Sequence, residues 1–104
     1  HFLMALVKLH EIDKPDWFEG MSPEQAKFYE DMGYGALCKM HGKIVGLYQF
    51  IYTVGIVVGM DESGYEYRFC YEDVDAALSA LVGWIISGEE EPSGYIKRKP
   101  EAHT

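Results

Sequence analysis

The apolar positions of this chain change period several times, and each change predicts an element. Over residues 4–12, Lys8 and His10 occupy one alternate row while Leu3, Ala5, Val7 and Leu9 occupy the other. That period of two predicts a first strand. Residues 13–20 break the pattern with Pro15 and then place Trp17 beside Phe18, a loop carrying two large rings that need something to cover. Ser22-Pro23-Glu24-Gln25 is a helix start: a capping hydroxyl, a proline suited to the first helical position, and Gln25 where a capping box takes Glu or Gln. The helix, over residues 23–32 and stopped by Gly33, would turn Ala26, Tyr29, Met32 and part of Phe28 to the core, and Glu24, Lys27, Glu30 and Asp31 to water.

From Tyr34 the pattern becomes strand-like: Ala36 to Met40, a His41-Gly42 turn, then Lys43 to about Tyr52. A helix over residues 36–48 is the competing reading. One strand running on to Met60 would be too long, so a bend, bulge or turn is expected near Thr53 to Gly55. A hairpin follows: Gly55 to Met60, a polar turn Asp61-Glu62-Ser63-Gly64, and Tyr65 to Tyr71, with Tyr65, Tyr67, Phe69 and Tyr71 on one face. Asp73 then caps a helix over residues 74–87 whose Val74, Ala77, Leu78, Leu81, Val82, Ile85 and Ile86 follow helical spacing up to Gly88. Trp84 falls off that stripe. Residues 89–104 read as an exposed arm, and residues 1–3, ahead of Met4, as extraneous to the domain.

Together these elements predict one α+β domain spanning residues 1–104: an antiparallel sheet of about four to five strands with two helices packed on it. A chain of 104 residues with 48% hydrophobic residues has room for one core and needs no staple to fold. The uncharged run from Ile44 to Met60 is 17 residues long but rich in glycine and β-branched residues, so it reads as buried strands and not as a membrane span.

Charge changes the picture of partners. Nine Lys and Arg stand against 17 Asp and Glu, a net charge of -8, and residues 61–91 alone carry nine acids against Arg68. A broad phosphate-binding face is thereby disfavoured, so no direct nucleic-acid partner is expected. Two cysteines, Cys38 and Cys70, form no dense framework, and the absence of asparagine removes any N-glycosylation acceptor, which fits a reducing cytoplasm.

The run Gly42-Lys43-Ile44-Val45-Gly46-Leu47-Tyr48, then Gly55-Ile56-Val57-Val58-Gly59, then Gly64-Tyr65 with Arg68-Phe69-Cys70-Tyr71, a helix ending at Trp84, and Gly94-Tyr95-Ile96-Lys97 resembles small uncharacterised proteins carried by phages and other mobile elements, including integron cassettes. The likeness covers roughly the last two-thirds of the chain. It implies a mobile-gene origin and a compact soluble domain; it transfers no catalytic residue and no cofactor.

Chemistry-bearing motifs are sparse. Cys38-x-x-His41, with Cys70 and His10, holds the residue types of a zinc site but lacks a second close ligand pair, so no metal is expected. Cys38 with His41 is the local arrangement for a cysteine nucleophile, against the reading of a packed cysteine and a turn histidine. Glu66, Arg68 and Glu72 on one strand face form an ion-pair row or the floor of a polar pocket. No catalytic residue is assigned. The strongest signal is aromatic excess: eight tyrosines, five phenylalanines and two tryptophans, more than one small core absorbs. Tyr52 and Tyr65 share in it.

The functional expectation is accordingly a non-catalytic, homo-oligomeric binding or adaptor module that modulates a host protein, with Trp84, Tyr95 and Ile96 as interface residues. One alternative is a small-molecule-binding protein or small enzyme whose pocket uses Trp17, Phe18, Tyr48 and Tyr67, with Arg68, Glu66, His10 or His41 as polar groups. Another is an acidic mimic that blocks a nucleic-acid-binding protein.

Overall fold

The computed structural model describes Pro15 and residues 18–96, and of Phe18 and Glu19 only the backbone. The strand expected over residues 4–12 lies outside them. In chain order the elements are β1 (Phe18–Glu19), α1 (Pro23–Asp31), β2 (Gly35–Met40), β3 (Lys43–Gln49), β4 (Val54–Val58), β5 (Tyr67–Tyr71) and α2 (Val74–Ser87). The five strands form one antiparallel sheet in sequential order, with β1 a two-residue strip against Lys39 and Met40. An α+β domain with two helices on an antiparallel sheet is the observed architecture.

Local chemistry explains most boundaries. The Ser22 hydroxyl accepts from the Gln25 amide at 3.2 Å, and Pro23 opens α1. The β2–β3 turn places His41 at φ 52° and Gly42 at φ 81°, the pair of left-handed residues that a two-residue hairpin needs to match strand twist. In the β4–β5 connection the Asp61 carboxylate accepts from both the amide and the hydroxyl of Ser63, at 2.8 and 2.7 Å, which hold it below the usual carboxylate range. The Asp73 carboxylate accepts from the Ala76 amide at 2.8 Å to start α2, and Gly88, at φ 68°, ends it.

The sheet packs its two faces differently. Val45, Leu47, Val54, Ile56 and Val58 point to α2 and close a core with Ala77, Leu78, Leu81, Trp84 and Ile85. Ile44, Tyr48 and Val57 point the other way, to α1, where Tyr29 and Tyr34 join them.

Four expectations need correction. Trp84 belongs to the buried stripe of α2, 5% exposed, while Ile86 is 60% exposed and Val82 only half-buried. The helix is rotated so that residues 77, 81 and 84 face the sheet. Met32 and Phe28 of α1 lie exposed, leaving Tyr29 as the one buried side chain of that helix. β3 ends at Gln49, and the turn falls at residues 50–53. Tyr65 leaves the row of Tyr67, Phe69 and Tyr71 for the α1 face, because the alternation holds only where β5 is paired, from Tyr67 onward.

Candidate functional site

The α1 face carries a continuous row of rings. Strand alternation aims Ile44, Gly46 and Tyr48 of β3, Gly55 and Val57 of β4, and Arg68 and Cys70 of β5 to this side. Gly55 leaves the space that Phe50 occupies: a side-chain carbon built there would lie 2.6 Å from the Phe50 ring. From the helix outward, ring centroids follow at 5.0 Å (Phe28–Tyr29), 6.3 Å (Tyr29–Tyr34), 5.1 Å (Tyr34–Tyr48), 5.0 Å (Tyr48–Phe50) and 6.3 Å (Phe50–Tyr65). Most of these pairs meet edge to face, the arrangement that the ring quadrupole favours. Burial raises the Tyr29 phenol above its ordinary pKa, with Asp61 and Glu62 adding to it; burial does the same for Tyr34, helped by the phenols of Tyr48, Tyr65 and Tyr29 and by Asp61. Both stay neutral donors at physiological pH.

The far end of the row is cationic. The Arg68 guanidinium stacks over the Phe50 ring at 4.3 Å and donates to the Tyr65 hydroxyl at 3.0 Å. Neither ion pair among the described residues involves it: these are Lys27–Asp31 and Lys43–Glu66. A planar fork held by a ring and a phenol keeps donors for a carboxylate or phosphate brought by a partner. Tyr48, Phe50 and Tyr65 are half-buried and Arg68 is exposed, since α1 reaches only part of this face.

The residues expected to line a pocket fall into separate groups. Tyr48 and Arg68 share the ring face. Tyr67, on the same strand as Arg68, points to the α2 side, where it meets Phe69 at 5.6 Å. Glu66 accepts from Lys43 Nζ at 3.0 Å at the opposite end of β3 from Tyr48, and Lys43 also lies 5.4 Å from the Tyr67 ring. That contact raises the Lys43 pKa, so the pair is a charged rim contact. His41 sits in the turn at that same end. His10, Trp17 and the Phe18 side chain lie outside the described residues. Phe50, which the sequence reading passed over, is the centre of the cluster; its spacing of two from Tyr48 was the available signal.

The residues expected at an interface are used inside the chain. The Trp84 indole donates to the Glu89 carbonyl at 2.6 Å, and its ring meets Phe69 at 6.0 Å. Trp84 is 5% exposed within the chain. Tyr95 packs on Phe69 at 4.9 Å and donates to Glu91 at 2.9 Å. The Ile96 amide donates to the Cys70 carbonyl at 2.8 Å, although its side chain is 45% exposed. Up to Ile96, then, the arm lies along β5. Tyr71 donates to the Ser93 carbonyl at 2.9 Å, and burial, with Tyr95 and Glu91 nearby, pushes its phenol up to about 12.

Cys38 is buried on the α2 face, whereas Cys70 is half-buried on the α1 face, so the sheet separates them. Among the described residues no group of three metal-ligating side chains comes together, and no helix is long and apolar enough to cross a membrane. No protein-family model matches the chain, and no curated protein and no solved structure matches it either.

Proposed function

We propose that this chain is a non-catalytic binding module, of the kind mobile elements carry to modulate a host protein, that works as a homo-oligomer through its α1 face. One observation carries the reading: the half-exposed rings of Tyr48, Phe50 and Tyr65 end in an Arg68 guanidinium stacked at 4.3 Å that forms no ion pair among the described residues. Aromatic rings around a preorganised arginine are the composition of energetically dominant contact patches. Edge pairing is a poorer route to an oligomer, because the outer side of β5 already receives the Ile96 amide.

The spare donors of Arg68 favour one second reading, a small anionic ligand held against Phe50 and Tyr65. Light scattering at several concentrations, with native mass spectrometry on the same sample, separates the two. The module reading predicts a mass of at least twice 11.8 kDa with no adduct. A monomer that retains a small anion would replace it with the ligand reading.

A further inference from the structure

The turn between β3 and β4 is built unlike the other two hairpin connections. Those use left-handed His41 and Gly42, or the Asp61–Ser63 side-chain turn closed by Gly64. Here the corner positions are Ile51 and Tyr52, 88% and 90% exposed, and neither adopts positive φ. The chain reverses because the Gln49 side-chain amide donates to the carbonyls of both Phe50 and Thr53, at 2.9 and 3.2 Å, while the Phe50 amide donates to Thr53 at 2.8 Å. Gln49 thus fixes the turn from beneath, and the corners carry side chains that turn formation does not favour. A single exposed Ile is ordinary; an adjacent Ile and Tyr, both almost fully exposed on a clamped tip, form a compact apolar projection with a hydroxyl at its end.

The surroundings of the tip are acidic. Val54 pairs with Tyr71, so Glu72 and Asp73 lie level with Thr53, and Asp75 follows in the first turn of α2; all three are exposed. On the α1 side, Gly33 lies against Tyr48, which brings the last turn of α1 with Glu30 and Asp31 to the same end. Of the cations at this end among the described residues, Lys27 is paired with Asp31 at 3.6 Å and Arg68 is held over the Phe50 ring on the α1 side, against Glu30, Glu72, Asp73 and Asp75.

We propose that Ile51 and Tyr52 form a plug that docks into an apolar site flanked by lysine or arginine on a partner protein. The acidic collar matches such a rim, and it opposes both an anionic bilayer and the equally acidic surface of a second copy. The plug adjoins the Arg68 surface at Phe50, but it uses the exposed side chains of Ile51 and Tyr52 and not the ring face.

The test is an amide-shift titration of the full chain with a synthetic amphipathic helix bearing leucine on one face and lysine on the other, beside a leucine–glutamate helix of the same length. The plug predicts that the lysine helix alone shifts residues 49–54 and 72–75, and that the double variant Ile51→Ser, Tyr52→Ser weakens it at least tenfold. That variant should keep the wild-type melting curve and solution mass. Shifts centred on residues 89–91, or unchanged affinity in the double variant, would reduce the effect to diffuse charge and overturn the plug. Shifts at the tip on adding vesicles of anionic lipid would make the occupant a membrane, and loss of the oligomer in the double variant would make it a second copy; either overturns the assignment.

Discussion

The two faces of one sheet solve opposite problems. On the α2 side, aliphatic side chains from β2, β3 and β4 meet a fourteen-residue helix that buries five residues, and Val45, Leu47, Ile56, Leu81 and Ile85 are all at 0% exposure. On the α1 side, a nine-residue helix buries Tyr29 alone, and rings spread over the area it leaves. Aliphatic burial scales with area and excludes water, so the α2 face supplies cohesion. Rings with phenols and a stacked guanidinium tolerate a wet boundary, so the α1 face holds its form while offering contacts. Cohesion and contact are thereby separated by the sheet itself, because successive side chains of a strand point to opposite faces.

The largest expected effect comes from attacking the cohesive face. Leu81→Asp places a carboxylate where the side chain is 0% exposed, and should abolish the cooperative melting transition by circular dichroism. Trp84→Ala comes next, at about 3–5 kcal/mol, because it removes a buried ring together with its hydrogen bond to Glu89. A Trp84 variant that changed oligomer mass but not melting temperature would place that residue in an interface and collapse the contrast between faces.

Alkaline pH tests the rim between core and arm. The Tyr71 phenol stands at about 12 in the folded chain against 10.0 in an ordinary tyrosine. Between those values the unfolded state gives up its proton first, so the contribution is complete below pH ~10 and is lost as pH rises towards about 12. Tyr71→Phe should flatten this loss in pH-dependent melts, and should cost about 1 kcal/mol at neutral pH through the hydrogen bond to Ser93. The smallest effect belongs to Glu90→Lys, on an exposed residue after α2, expected within about 0.5 kcal/mol of wild type by denaturant titration.

Elements whose ends carry their own chemistry were legible in the sequence. Asp73 and Gly88 bracket α2, Ser22-Pro23 opens α1, and Gly42 and Asp61–Gly64 mark two turns; the structure keeps each of them. Features set by tertiary packing were not. Trp84 looked peripheral because the apolar stripe of α2 is wide enough to be rotated either way, and contact with Phe69 decides which way it turns. The β3–β4 turn has no glycine, proline, asparagine or aspartate at its corners, and the Gln49 amide that makes it has no sequence signature. Of the ring face, Tyr48, Tyr65 and Arg68 were legible as aromatic and charged candidates; the spacing of two from Tyr48 put Phe50 on the same side, but its central place depends on the space that Gly55 leaves. Tyr67 and Arg68, neighbours in sequence, were grouped into one pocket and lie on opposite faces.

The most direct test of the division between faces is the solution mass of Arg68→Glu beside wild type at matched concentrations, each with its melting curve. At neutral pH the variant loses a cation–π contact worth about 0.5–1 kcal/mol at an exposed site and places a carboxylate among the rings. The account predicts a monomer with a nearly unchanged melting temperature where wild type is an oligomer. An unchanged oligomer, or a variant that unfolds, would contradict it.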